Sequence, residues 1–509
     1  MPQQIEINPK FEQAMKIIAE SQSHLFITGK AGTGKSTLLE YCYENCNKNI
    51  VLLAPTGVAA LNIKGQTIHR FFGFPINITA EKIATQQFMP RAKRIYKNLE
   101  TIIIDEASML RADLLDCINA FLERYGPEPG KPLGGVQLVF VGDLYQLPPV
   151  IHPQEQSCFY QKYDTPYFFS ADVFRKMPLE IIELDKIYRQ KDQNFIELLN
   201  RFRSNSITEQ DIILLNSRLN TEQKFYNLTD YQISLTTTNQ QADAINQQRL
   251  ESLTGVAYCA TAVIDGSFNE DYYPTQENLF FKIGAQIMFL NNDAKNRWVN
   301  GSLGYIEKIT LDGGRVKHIS VRLHTNHKLV EVFPYSWEIY KYSLEGKEII
   351  SEVIGSFAQF PFRLAWAVTI HKSQGKTFEH VVIDIGRGTF APGQLYVALS
   401  RCTSFEGLSL TRPINRHNVL TDSRIFGFMS QYSPQELSNE NRQQLLLSAI
   451  AKRSKLEIAY TKANGELSRR IIIPLKIKED KLLAFCTQRQ EQRTFVLERI
   501  LKAHIHNDN

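Results

Sequence analysis

Residues Gly29 to Thr37 read GKAGTGKST, which has the form G-x-x-x-x-G-K-S. Glycines at this spacing let backbone N–H groups close on phosphate oxygens, and a helix N-terminus behind them adds partial positive charge. Gly29, Ala31, Gly32, Thr33, Gly34 and Thr37 fall in this cradle. Lys35 is expected to reach the terminal phosphates, and the Ser36 hydroxyl to hold Mg²⁺. An acidic pair, Asp105-Glu106, follows the apolar run Thr101 to Ile104. There Asp105 would complete the Mg²⁺ shell, and Glu106 would polarise an attacking water. Gln146 follows the run Val136 to Val141 at a distance that could place it near a γ-phosphate. The chemistry implied is hydrolysis of a nucleoside triphosphate with Mg²⁺.

These groups need a scaffold that brings them to one edge. The stretches 24–28, 50–54, 101–104, 136–141 and 181–184 read as buried strands, and helical stretches alternate with them. That alternation predicts one doubly wound parallel sheet. A weaker second series follows: strands at 233–237, 365–369 and 381–385, a helix at 240–253, and a helix over 393–401 that carries Arg401. The expected fold class is α/β, with two RecA-like motor domains facing each other across the nucleotide. In such a layout Arg189 and Arg401 supply transition-state charge, an effect on the order of 10³–10⁵ in rate. Gln13, on a helix over 11–20, either reads an adenine edge or is simply solvated. Thr56, Gly65, Thr67 and His69 either meet a sugar-phosphate backbone or form an ordinary strand-to-helix connection. Phe71, Phe72 and Phe74 are either a core plug or a stacking surface.

Composition sets the outer limits. Of 509 residues, 43% are apolar and 22% charged, which is ordinary for a globular protein. No apolar run is long enough to span a membrane, and the N-terminus lacks a secretory pattern. Seven scattered cysteines without a paired motif suggest reduced thiols and a cytoplasmic location. The net charge of +5 is uneven: from Asn441 onward there are 14 Lys/Arg against 7 Asp/Glu, leaving 44 against 46 before it. A polyanion would be gripped by local patches in the body and by the basic tail.

The set GKAGTGKST, APTGVAA, IIIDEASML, VGDLYQLPP, YRQ, AVTIHKSQGKTF and YVALSR, in this order, resembles superfamily-one DNA helicases of the Pif-one and RecD-like group. The stretch Phe168 to Arg203 resembles the extra signature of Pif-one proteins, with Phe174 where a tryptophan is usual. The resemblance implies 5′→3′ translocation on single-stranded DNA and unwinding of duplex or structured DNA in replication, repair or recombination. It assigns Lys35, Ser36, Asp105, Glu106, Gln146, Arg189, Gln374 and Arg401 to the ATP site, with Gly375 beside them. Thr56, His69, His371, Lys372 and Ser373 fall in motifs that touch DNA or couple it to ATP. A translocase that strips bound proteins, or an ATPase switch that does not unwind, are the alternatives.

The implied organisation is a first RecA-like domain over 1–190 with a wedge insertion near 70–95, and a second over 191–425 with a small β-barrel near 298–360. A linker over 426–444 leads to a tail over 445–509. The tail reads as one helix, then short strands with turns at Asn464-Gly465 and Glu479-Asp480. It resembles a small β-rich WYL domain without the naming triplet, in which Arg470, Arg493 and Arg499 would be contact residues. Expected partners are single-stranded and forked DNA and no membrane, with self-association on DNA left open against a monomer.

Overall fold

The computed structural model describes residues 8–75, 78–85, 88–90, 93–190, 192–220, 232–432, 439–461 and 467–505. In the first lobe, α1 (Pro9–Glu20) starts at Asn8, whose side chain accepts from the N–H groups of Lys10 and Phe11. Then come β1 (His24–Gly29), α2 (Lys35–Asn45), β2 (Ile50–Ala54), α3 (Gly57–Asn62), β3 (Gln66–Thr67), α4 (Ile68–Phe72), α5 (Ala80–Ala84), α6 (Lys93–Lys97) and β4 (Thr101–Ile104). The lobe continues with α7 (Ala112–Tyr125), β5 (Gln137–Gly142), α8 (Pro153–Lys162) and β6 (Leu179–Leu184). The six strands form one parallel sheet in the order β3-β2-β4-β5-β1-β6. β2, β4 and β5 are buried at every position, as central strands covered on both faces must be. The phosphate loop leaves β1, and Asp105 follows β4, with β5 between them. The phosphate loop and Asp105-Glu106 therefore lie at the carboxyl edge of one sheet.

The second lobe begins with α9 (Gln193–Ser204) and α10 (Glu209–Asn216), the latter started by a Thr208/Asp211 capping box. It continues with β7 (Ile233–Thr236), α11 (Asn239–Ser252), β8 (Tyr258–Thr261), β9 (Val263–Gly266), β10 (Asn278–Phe281) and β11 (Gln286–Phe289). After them come β12 (Leu303–Asp312), β13 (Arg315–Leu323), β14 (Leu329–Val332), β15 (Tyr335–Glu345), β16 (Glu348–Gln359), β17 (Phe362–Leu364), β18 (Ala367–Thr369), β19 (Val381–Asp384), α12 (Gln394–Leu399) and β20 (Leu408–Leu410). The order β18-β7-β19-β20 makes a second parallel sheet.

The β insertion is larger than its expected span of 298–360 and is divided. One antiparallel sheet runs β14-β13-β12-β11-β17, and another runs β15-β16-β9. Three of these strands, β9, β11 and β17, lie outside the span, because the pairing is made between segments far apart in the chain. The expected wedge region holds α4 to α6. Phe71, Phe72 and Phe74 are buried there, with Phe72 stacked on Phe74 at 5.1 Å and edge-on to Phe121. They plug the core.

The expected linker is mostly helical among its described residues: α13 (Ser423–Tyr432) runs into it, and α14 (Asn439–Lys452) starts inside it. Phe428 of α13 stacks on Phe169 at 4.4 Å and meets Phe26 of β1, so α13 docks on the first lobe. The tail carries β21 (Leu456–Thr461), β22 (Leu467–Lys478), β23 (Lys481–Cys486), β24 (Glu491–Val496) and β25 (Ile500–Ile505), ordered β24-β23-β22-β21-β25. α14 covers this sheet with Leu445, Leu446 and Ala449. The expected turn at Asn464-Gly465 lies outside the described residues. At the other expected turn, Glu479 adopts φ 55°.

Candidate nucleotide site and strand cleft

The phosphate loop is held in shape by its own polar atoms. Lys35 Nζ donates to the carbonyls of Gly29 (2.7 Å) and Lys30 (3.0 Å), and burial lowers its pKa. Thr33 is buried and donates to the Lys30 carbonyl, so its side chain braces the loop. Gly32 has φ +82°, and a Cβ there would collide with the Cβ of Arg189. Only glycine lets Arg189 lie against the loop. Ser36 and Thr37, exposed at the start of α2, line a cleft of about 1680 Å³ together with Asp105, Glu106, Thr56, His371, Lys372, Gln374 and Gly375. Gln13 is exposed on α1, whose Phe11 faces Gly34.

Glu106 adopts the left-handed conformation (φ 49°, ψ 43°), a strained setting for a non-glycine residue. Burial and the neighbouring Asp105 push its carboxyl up to about 7, against the pull of Lys35, Arg401 and a hydrogen bond from Gln374. Burial also raises Asp105. Gln374 Nε2 donates to Glu106 Oε2 at 2.8 Å, across the boundary between the lobes. Arg401 is 1% exposed and donates to the carbonyls of Val397 (2.9 Å) and Lys376 (3.1 Å) and to Ser400 Oγ (2.8 Å). Burial and Arg189 lower it to about 9, while Tyr396, Glu106 and Asp143 pull the other way. Arg189 donates to the carbonyls of Ser400 and Gly375, both at 3.3 Å. The structure thus brings Lys35, Glu106, Arg189, Gln374 and Arg401 into one crevice. Ser36 and Asp105 fit a cation such as Mg²⁺, which binds through one or two protein oxygens plus substrate phosphates.

Sequence reasoning missed a hub beside this crevice. Asp143, fully buried after β5, accepts from Arg203 Nη2 (3.1 Å) and Gln146 Nε2 (3.3 Å) and meets the Tyr396 hydroxyl at 3.5 Å. The Tyr396 hydroxyl also accepts from the Ala31 N–H at 3.3 Å. Gln190 donates to the carbonyls of Ser400 and Cys402. The signal for Asp143 was present: an acid directly after a buried strand, as Asp105 is. Gln146, expected near a γ-phosphate, is buried with its amide donating to Asp143, and it does not line the cleft.

Several residues expected to meet DNA are engaged inside the protein. Ser373 is fully buried and donates to the Ile370 carbonyl, so it stiffens its loop and presents no side chain to a strand. A Cβ at Gly65 would strike the Leu52 carbonyl, which gives this glycine a packing role. Thr67 is buried, shares a 2.8 Å hydrogen bond with the Tyr272 hydroxyl and caps α4. His69 is half-buried on α4, and burial with Arg111 lowers its pKa. Thr56 caps α3 through the Ala59 N–H. His371 stacks on Phe390 at 6.4 Å, while Lys372 is exposed. In the tail, Arg470 is buried and donates to Ser468 Oγ, Arg493 pairs with Glu491 at 2.8 Å, and Arg499 is exposed. Arg470 therefore faces the sheet rather than an outside ligand.

Comparison with known proteins gives a consistent pattern. Residues 5–212 match the family model for PIF1-like helicases, residues 364–404 the UvrD-like helicase C-terminal domain, and residues 443–505 the WYL domain. The chain is 31% identical to the ATP-dependent DNA helicase Pif1 of Bdellovibrio bacteriovorus, over 84% of this chain and 93% of that protein. It superposes on unliganded Pif1 from Bacteroides sp. with TM-score 0.75 and 36% identity, covering 84% of this chain and 96% of that one. On Bacteroides Pif1 bound to ssDNA the TM-score is 0.57, at 36% identity, with 84% and 97% covered. Among the described residues, no helix is long and apolar enough to cross a membrane.

Proposed function

The chain belongs to the PIF1-like helicase family and is an ATP-dependent DNA helicase, and we propose that it moves 5′→3′ along one strand as its two lobes close and open on each ATP. The observation that carries this reading is the hydrogen bond from Gln374 to Glu106 across the lobes, beside Arg189, which lies against the phosphate loop and donates to the Ser400 and Gly375 carbonyls. In this division of labour, residues 1–190 and 191–425 are the two motor domains. Lys35 and the loop amides bind the phosphates, and Glu106 takes the proton of the attacking water. Arg189 and Arg401 face the charge that develops as the bond breaks. Ser36 and Asp105 would hold Mg²⁺, which when bound would neutralise charge on the phosphate oxygens. Thr56, His371 and Lys372 face the strand in the cleft, and the tail adds a basic surface around Arg493 and Arg499. Single-stranded and forked DNA are the substrates, and a second copy at a fork is compatible with a monomer as the unit.

Strand displacement decides the polarity. Duplexes with a 5′ or a 3′ overhang are incubated with ATP, and the 5′ substrate is expected to open. Displacement from the 3′ overhang alone refutes the polarity. DNA-stimulated hydrolysis with no displaced strand refutes unwinding and leaves a translocase.

A further inference from the structure

The far wall of the cleft carries cations that the hydrolysis reaction does not use. Lys376 follows Gly375, and its carbonyl is one of the groups that hold Arg401. Its side chain lines the cleft, and Nζ donates to Asn300 Oδ1 at 3.1 Å. Arg363 on β17 lines the same wall. Its Nη2 donates to the Pro274 carbonyl at 2.6 Å, but its Nε is buried without a partner. Burial and the Arg363 guanidinium push the Lys376 ammonium down to about 7, and Arg363 also lowers Lys372. The carboxylate acting on Arg363 and Lys372 is Asp243 of α11. Three cations against one such acid, in a partly dry cleft, repel one another, and a bound anion relieves that repulsion.

We propose that Arg363 and Lys376, with Asn300 steadying the ammonium, form a pocket for one backbone phosphate of the bound DNA strand. This rests on the helicase reading above. The pocket offers a guanidinium N–H and an ammonium, both donors, on one wall of the cleft, and phosphodiester oxygens accept from both. Donors alone carry no base preference, so the contact is sequence-independent. Because the Lys376 carbonyl also binds Arg401, a strand phosphate held here lies one residue from the arginine that faces ATP.

The test is the salt dependence of oligothymidylate binding by the full chain, read by fluorescence anisotropy at slightly acid pH, where Lys376 is protonated. Lys376→Met is expected to flatten the slope of log K against log salt by about 0.7, the value of one lost single-strand phosphate contact. Lys376→Arg, which keeps the charge, is expected to retain the slope. A Lys376→Met slope equal to wild type overturns the pocket and leaves the helicase reading standing. So does an equal loss in both variants, which marks a structural effect. A raised KM for ATP without DNA, with the slope intact, assigns the cation to the nucleotide and also overturns the pocket. Failure of the wild type to bind or displace DNA strikes the helicase reading itself.

Discussion

The hydrogen bond from Gln374 to Glu106 sets a measurable quantity, the pH at which hydrolysis switches on. Glu106 must be ionised to take a proton from water, so kcat/KM for ATP should rise through the last ionisation of the Asp105–Glu106 pair, at about pH 7. Gln374 favours the ionised form by donating at 2.8 Å. A hydrogen bond to a charged group contributes about 1.5–3 kcal/mol, or roughly one to two pH units at about 1.4 kcal/mol per unit. The carboxyl is only half-buried, so water replaces part of the lost bond and the lower figure applies. Gln374→Ala should therefore move the rising limb to about pH 8, and at pH 7 the variant should run at about a tenth of its own plateau. The assay is ATPase kcat/KM against pH with saturating single-stranded DNA, wild type beside variant. A limb that stays put or moves to lower pH refutes the reasoning, because it removes Gln374 from contact with the ionised carboxylate in the working enzyme.

Two further outcomes follow from the packing. Arg203→Met strands the buried Asp143 carboxylate and should cost about 3–5 kcal/mol in urea unfolding, whereas adding Asp143→Leu should recover much of the loss. Equal losses in the single and double variants would show that the pair is not coupled. Deleting residues 441–509 should weaken DNA binding and flatten its salt dependence, and an unchanged salt slope would assign the tail another role.

What could be read from the sequence was what the chain does locally. Ile50–Ala54 and Thr101–Ile104 form strands with the limits their composition indicates, because every residue is buried and the run stops where polarity starts. The phosphate loop is legible for the same reason: its function depends on consecutive backbone positions. β3 was missed because Gln66 and Thr67 carry no strand pattern, and they are extended because they pair with Leu53 and Ala54. The Tyr396–Ala31 bond joins residues 365 apart in the chain, and no local spacing announces it. Ser373 is a different case: its motif position suggested contact with DNA or coupling of DNA to ATP, and the fold turns its side chain inward to the Ile370 carbonyl. α13 was read as linker from its polar neighbours, although Phe426 and Phe428 had already marked an apolar face.

Two of the contacts between the lobes, one through α13 and one through the β15–β16 hairpin, differ in character. Through α13, Phe428 meets Phe26, Phe168, Phe169 and Phe174, a cluster sealed in the first core. Aromatic pairs contribute about 0.5–1.5 kcal/mol each beyond their burial, so this joint holds as a unit. On the other side, the β15–β16 hairpin reaches β2. β3 pairs only with Leu53 and Ala54, and the Leu52 N–H is taken by the Tyr342 hydroxyl at 2.9 Å. Asn49 adds two bonds of 3.0 Å to Lys347 and Ile349. Such bonds contribute about 0.5–1.5 kcal/mol each and can be exchanged for water. The hairpin is nevertheless anchored too, because Tyr342 is buried in the first core and meets Phe71 edge-on at 5.7 Å. The tail packs on α13, with Lys452 reaching Ser423.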